Sequence, residues 1–405
     1  MRNRTGFGLI AMTMILAILS SGCTQDFQNG NPAGERIGPL PKTADILFVS
    51  TRDTGSRRTE IYAADSDTKD VTRITFTEEH HFISGIDNSR QYIVVSRAGE
   101  DTDPPRGLGD EDRRSLWVLN LETKEEVLLT DLCHHAEGDS FSPDGEWIVF
   151  HMKLSGEEQS DIYKVRRDGS ELHQLTNTKN AVEGDPAFSH DGKEIAFTYL
   201  DSTTQRFVLK TMDSDGKNVK TVYDSGSEIS TPVFPPGCYD PEWSPDDLWL
   251  VFEQCVSYDG ENWGSGIWHI FTIRKDGSGL TDFSLAGGHT NRAEYLPSYS
   301  PDGSFIVFGS LYQATPPEQS HNDIFVMDIT GKVRRLTDSP ASDMYPVWIP
   351  PVFSGESGST YFLNTFCSLL FHESVLTLTV DIIFPFSLFS FSSHFWKTFI
   401  SASGS

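Results

Sequence analysis

A ten-residue phrase, Phe141-Ser142-Pro143-Asp144-Gly145-Glu146-Trp147-Ile148-Val149-Phe150, returns along the chain and leaves few folds open to it. Copies stand at Phe188-Ser189-His190-Asp191-Gly192 before Ile195-Ala196-Phe197 and at Trp243-Ser244-Pro245-Asp246-Asp247 before Leu250-Val251-Phe252. Another is Tyr299-Ser300-Pro301-Asp302-Gly303 before Ile306-Val307-Phe308, and a worn one is Ile86-Asp87-Asn88-Ser89-Arg90 before Tyr92-Ile93-Val94. From Asp87 through Ser142, Ser189 and Ser244 to Ser300 the steps are 55, 47, 55 and 56 residues. Self-similarity at a fixed period marks a repeat architecture, in which each unit buries its face against the next. Within a copy, Pro presets φ for the first turn position, Asp bonds its own backbone and Gly supplies φ > 0. The phrase is therefore a tight turn feeding a buried strand.

Around each turn the chain reads as four short strands, a to d, separated by polar turns. Strand c is legible at residues 61–64, 116–119, 162–165, 207–210, 268–271 and 324–327. Strand d is legible at 74–76, 127–130, 172–176, 219–223, 280–285 and 333–337. Asp168-Gly169, Asp215-Gly216 and Asp276-Gly277 lie between c and d, as tight hairpins require. Six four-stranded units around a channel make an all-β fold, the six-bladed β-propeller. The first unit, starting at Ile46-Leu47-Phe48-Val49, lacks a strand a, whereas Tyr345-Pro346-Val347-Trp348 repeats the strand-a pattern of Asp240-Pro241-Glu242-Trp243 with nothing after it. The C-terminal strand is expected to complete blade one and close the ring, leaving no free sheet edge. The propeller is placed at residues 43–350.

Arg2 and Arg4 precede an apolar run from Leu9 to Leu19 and then Ser20-Ser21-Gly22-Cys23, so residues 1–22 read as a signal peptide. Cys23 resembles a bacterial lipoprotein processing site and is the expected lipidation residue. This predicts an exported protein, either an outer-membrane-anchored lipoprotein or periplasmic. Residues 23–42 are rich in Gly, Pro, Asn and Gln and read as a linker. Residues 351–405 turn Ser- and Phe-rich as the repeat stops, and read as an atypical tail outside the propeller. A membrane-inserting segment and an accessory hairpin are the competing readings. Lys and Arg number 32 against 58 Asp and Glu, a net charge of −26, which excludes nucleic acid as a partner because phosphates are repelled. Export permits disulfides. Cys238 and Cys255 are equidistant from the Asp246-Asp247 turn, so a simple hairpin sets them opposite each other as an expected disulfide, the alternative being two buried free thiols if a bulge in either strand spoils the register.

In an antiparallel meander the a–b and c–d turns share one face and the b–c and d–a loops the other. The long loops at residues 97–115, 257–266 and 309–322 fall on the second face, where binding concentrates. The d–a segments bring His81, His134, His135, Glu137, Asp139, Glu183, Asp185, Asp240, His289 and Glu294 toward the channel, and these are the candidate binding residues. His81, His135 and His289 are the candidate ligands for a divalent metal such as Zn, Mn or Ca. A solvated acidic rim and a protein-docking surface are the other readings of the same residues. No motif requires a cofactor. Gly-x-Ser-x-Gly, His-Glu-x-x-His and Gly-rich phosphate loops are all missing from the sequence, so no catalytic residue is assigned.

With Asp185-Pro186-Ala187-Phe188 and Asp240-Pro241-Glu242-Trp243 leading into the turns and Asp323-Ile324-Phe325-Val326-Met327-Asp328 following, the chain resembles the TolB-type propellers, built from PD40 or WD40-like repeats, over about Asp45 to Trp348. The resemblance implies a non-catalytic cell-envelope propeller that binds a protein or peptide or serves as a scaffold. Its membrane contact would come through the lipid on Cys23. Similar repeats also occur in metal-dependent oligogalacturonate lyases, which place histidine ligands for manganese on the channel face. That alternative implies a polysaccharide lyase working through the His and carboxylate cluster, the metal neutralising the uronate carboxylate.

Overall fold

The computed structural model describes residues 36–351, except for 55–57, 78, 99–113, 131–134, 155–158, 180, 232–233, 259–265, 290 and 313–320. All lie in the first of two compact units, Met1–Ser354 and Gly355–Ser405. Among the described residues, twenty-four strands form six four-stranded blades. From the inside outward, blade one is β24 (Asp343–Trp348), β1 (Ile46–Ser50), β2 (Glu60–Ala64) and β3 (Val71–Arg73). Blade two is β4 (His80–Ile86), β5 (Tyr92–Ala98), β6 (Arg114–Asn120) and β7 (Glu126–Leu128). Blade three is β8 (His135–Phe141), β9 (Trp147–Lys153), β10 (Ser160–Arg166) and β11 (His173–Gln174). Blade four is β12 (Glu183–Phe188), β13 (Glu194–Asp201), β14 (Arg206–Asp213) and β15 (Lys220–Tyr223). Blade five is β16 (Cys238–Trp243), β17 (Trp249–Ser257), β18 (Ile267–Arg274) and β19 (Thr281–Asp282). Blade six is β20 (Glu294–Tyr299), β21 (Phe305–Tyr312), β22 (His321–Asp328) and β23 (Val333–Arg335). The expected closure is present: β24 pairs antiparallel with β1, Ile46 opposite Trp348 and Ser50 opposite Asp343.

The repeated turn works as its residues dictate. The Ser hydroxyl donates to the Asp two residues on, at 2.5 Å for Ser142–Asp144, 2.9 Å for Ser189–Asp191, 2.6 Å for Ser244–Asp246 and 2.7 Å for Ser300–Asp302. The same Ser oxygen accepts the N–H that opens the next strand, from Trp147, Glu194, Trp249 and Phe305. In the worn copy the parts are exchanged: Asp87 takes the Ser position and accepts from the Gln91 and Tyr92 N–H groups and from the Ser89 hydroxyl. Gly145, Gly192 and Gly303 sit at φ near +70°, where a Cβ is disfavoured, and Arg90 and Asp247 occupy the same region. Arg90 is fixed there by its guanidinium, which donates to the carbonyls of Pro41, Ala44 and Pro350 and so ties both ends of the ring to blade two.

Strand b supplies the packing. Phe48, Phe150, Phe197, Phe252 and Phe308 occupy one fully buried position in five blades, with Val95 in blade two. Blade-to-blade seams carry a second repeated device, a hydroxyl after strand d that accepts an N–H from strand c. It is Thr75 for Ile61, Thr130 for Leu116, Thr176 for Ile162, Ser284 for Ile270 and Thr337 for Ile324. At each inner strand the ladder shifts register, as a bulge requires. In four blades the bulged residue precedes a proline and sits at positive φ: Asp185 (52°), Asp240 (50°), Leu296 (55°) and Tyr345 (54°).

Three expectations change. The bulge at Asp240-Pro241 advances β16 by one residue, so Cys238 faces Gln254 and not Cys255. A slip of one residue turns a side chain to the other face. Cys238 lies in the core cluster with Trp243 and Phe252, Cys255 in the one with Phe207 and Trp268, and both are free buried thiols and not a disulfide. Residues 280–285, expected as one strand, end instead in a helical turn, α1 (Phe283–Ala286), because the Asp282 carboxylate caps it by accepting the Leu285 N–H. Within the segment expected as a linker, Ile37 is buried and bridges Thr75 on the outer side of blade one.

Candidate functional site

At the first or second position of the six inner strands stand Asp343, His81, Ala136, Glu183, Cys238 and Glu294, and all six are buried. They are buried because the start of each inner strand runs beside the start of strand c in the preceding blade. Parallel bridges Arg114–His135, Ser160–Val182, Phe207–Gly237 and Trp268–Ala293 mark this contact. The candidates His81, Glu183 and Glu294 therefore belong to seams and do not line the channel. In the first seam His81 Nε2 lies 2.6 Å from Thr77 Oγ1 and 3.9 Å from the buried Glu60 carboxylate. Burial, and then the charge of Arg97, hold the His81 imidazole well below its ordinary range, and burial pushes the Glu60 carboxyl up. In the fifth seam Glu294 accepts from Ser284 Oγ at 2.5 Å and faces His289 Nδ1 at 3.3 Å. Burial drives the Glu294 carboxyl up to about 7 and the His289 imidazole down. Glu183 is raised by burial, with the neighbouring Asp161 charge adding to it.

His81 and His289 thus stand in two different seams, each against its own carboxylate. His134 and the side chains of His135 and Asp139 lie outside the described residues. Among the described residues no three His, Cys, Asp or Glu side chains come together in a metal-binding group.

The second and third positions of the inner strands build something else. Arg114 pairs with Glu137, and Glu137 lies 3.8 Å from His151 Nε2. His151 Nδ1 accepts the Asp185 N–H at 3.4 Å. The Asp185 carboxylate in turn accepts from Thr198 Oγ1 at 2.9 Å and from the Asp240 N–H at 3.4 Å. One blade further, Glu253 accepts the Leu296 N–H. The belt thus draws Glu137, Asp185 and Asp240, all from the candidate set, into one polar band spanning blades three to six. Glu253 is nearly dry, and burial reinforced by the Asp185 charge pushes its carboxyl up to about 8. Asp185 and Asp240 keep partial exposure at their bulges. Glu137 is met by Arg114, whereas the Asp185 carboxylate is met by the Thr198 hydroxyl and the Asp240 N–H, and carboxylates held on rigid strands in this way attract positive charge.

Arg114, His151 and Glu253 escaped the sequence reading. The available signal was a polar residue inside an apolar strand b: His151 after Val149-Phe150, and Glu253 after Val251-Phe252.

Fold and wall together define a six-bladed β-propeller with an acidic inner belt. No protein-family model matches the chain. It is 30% identical over 191 residues to a TolB homologue from Chlorobium luteolum, covering 47% of this chain and 36% of the relative. It is 25% identical over 212 residues to the Tol-Pal system protein TolB from Francisella tularensis subsp. mediasiatica, covering 42% of this chain and 44% of that one. The chain thus spans less than half the length of these relatives. TolB from Acinetobacter baumannii superposes with a TM-score of 0.55 at 16% identity, over 76% of this chain and 67% of that one, a likeness of fold. The chain is thus a six-bladed propeller similar to TolB in fold and, over about half of its length, in sequence.

Proposed function

We propose that the protein is a non-catalytic binding propeller of the cell envelope, exported, tethered by a lipid on Cys23, and holding a cationic segment of an envelope protein or peptide against its inner belt. The observation that supports this is the run of contacts Glu137–His151–Asp185–Asp240, in which His151 accepts the Asp185 N–H and the Asp185 carboxylate accepts the Asp240 N–H, so that acidic residues of three successive inner strands are linked. The likeness to Tol-Pal system proteins supports an envelope setting and a protein partner. A net charge of −26 adds long-range attraction for a basic segment, which raises the encounter rate and makes binding salt-dependent.

The test is crosslinking capture from envelope extract, read by quantitative mass spectrometry, with the Asp185→Asn, Asp240→Asn double variant as comparison. Asn tolerates the left-handed backbone at both positions, so the substitution removes charge without disturbing the bulges. Capture is expected to fall at least about tenfold and wild-type capture to weaken with salt. Equal, salt-insensitive capture by both proteins rejects the reading. For the tether, Cys23→Ala is expected to move the protein from the membrane fraction to the soluble fraction; unchanged membrane retention rejects it.

A further inference from the structure

Ring closure sets two buried acids beside each other. Asn322 donates its N–H to Ser342 Oγ at 3.2 Å, and Ser342 exchanges hydrogen bonds with Thr51 at 3.0 Å each way. These contacts put the next residues, Asp323 on β22 and Asp343 on β24, at the same seam between blades six and one, close enough for the Asp343 charge to act on Asp323. Both side chains are fully buried. Arg335 Nη2 lies 2.7 Å from Asp323 Oδ2, and Arg52 Nη2 lies 2.6 Å from Asp343 Oδ2. Each acid therefore has one arginine. Asp343 Oδ1 and both oxygens of Asp323 have no hydrogen-bond donor in good geometry among the described residues, the Arg335 approach to Asp323 Oδ2 being an ion pair, and neither does Ser310 Oγ, which stands in register with Asp323 on β21. Ionised carboxylates only accept, so two acids with orphan acceptors in one dry seam call for a proton on one of them.

We propose that the closing seam is a proton-operated latch, in which Asp323 carries a proton that it donates to Asp343 Oδ1, and whose release loosens β24 against blade six. Every charged group facing the pair enters the balance. Arg335 from β23 and His321, 3.5 Å away on the same strand, favour an ionised Asp323, whereas Asp343 opposes it. Arg52, from the turn between β1 and β2, pairs with Asp343. Tyr295 from β20 also senses the Asp323 charge and is held neutral by burial. Burial outweighs the cations and raises the Asp323 carboxyl to about 6 from the ordinary 3.8. A group raised in the closed state contributes its stability fully below its ordinary range and loses it as pH rises through 6. The latch is therefore tight at pH 5 and slack at pH 8. Blade one is the blade assembled from both ends of the ring, so slackness here acts on closure itself.

Hydrogen exchange on the full chain tests this, with intrinsic rates corrected and β12 and β13 of blade four as internal reference. Protection of residues 343–348, relative to that reference, is expected to drop about tenfold between pH 5 and pH 8 in the wild type. In Asp323→Asn the amide supplies a donor at every pH, and the ratio is expected to stay flat. Should that variant not fold, Asp343→Asn reads the same contact from the other side, its amide donating to Asp323. A wild type without the drop, or a drop that survives in a folded Asn variant, overturns the latch.

Discussion

A chain ending at Asp338 is expected to fail to fold, while one ending at Pro351 keeps the propeller. Without β24 the inner edge of β1 is bare, and Ile46, Leu47, Phe48, Val49 and Ser50 are all fully buried in the closed ring. The deletion also removes Met344, Tyr345, Val347 and Trp348, which are partly buried against the flanking blades, and Ile349, which is fully buried. At about 1.5–3 kcal/mol for each fully buried large side chain, and less for the partly buried ones, the loss is on the order of 5–10 kcal/mol. That rivals the whole stability of a typical domain, about 5–15 kcal/mol. An apolar edge strand left unpaired also recruits other chains. Size-exclusion chromatography and thermal melts by circular dichroism decide the matter. The shorter chain is expected to be aggregated with no cooperative melt, and the longer one to melt within a few degrees of the full chain. A soluble, cooperatively melting 1–338 chain would show that closure is dispensable. Every described blade has its four strands without residues beyond Pro351, which is why the second truncation is expected to be harmless.

Much of this fold was legible because the chain writes it repeatedly. A Ser-x-Asp-Gly turn followed by a Phe-ended apolar strand has one comfortable arrangement, and finding its leading strand alone at Tyr345–Trp348 located the closure. What was hidden depended on single residues whose effect is not local. The bulge at Asp240-Pro241 is invisible in a hydrophobicity pattern, yet it moves Cys238 across the sheet from Cys255. Likewise, residue spacing put His81, Glu183 and Glu294 in d–a segments directed toward the channel; the bridges to the preceding blade turn these positions into the seams. Asp185 and Asp240 entered the candidate set as acids of the d–a segments, and the bulges at those positions keep their side chains partly in solvent. Glu253 and His151 did not enter it, because a titratable group inside an apolar strand reads as an exception until its partner strand is known.

Those buried acids make stability fall with rising pH, the opposite of ordinary acid denaturation. Glu253 is raised to about 8, chiefly by burial and then by the Asp185 charge, and Glu294 to about 7, chiefly by burial with Asp282 adding to it. Their unfolded counterparts titrate near 4.5. The folded protein therefore holds protons that the unfolded chain releases, and the stabilisation is complete below pH 4.5 and lost as pH climbs through 7 and 8. Glu242 shifts the same way to about 8, but part of its side chain reaches solvent, so less of its shift is expressed as stability. Two groups oppose at the acid end. His81 and His289 are held neutral by burial, and they penalise the fold as pH drops below about 6.5. The exposed Asp residues of the turns, such as Asp191, are lowered by their own hydrogen bonds but are too solvated to weigh much. Stability is thus expected to peak near pH 6 and decline toward pH 9. Glu253→Gln keeps an acceptor for the Leu296 N–H and Glu294→Gln keeps one for Ser284, and both remove the charge that must be buried at high pH. Each variant is expected to match the wild type near pH 4.5 and to exceed it at pH 8.5 by on the order of 3–5 kcal/mol in urea unfolding. Parallel pH profiles for wild type and variants would mean that both carboxyls are already ionised in the folded protein at neutral pH, and that the belt carries one more negative charge than the geometry allots to it.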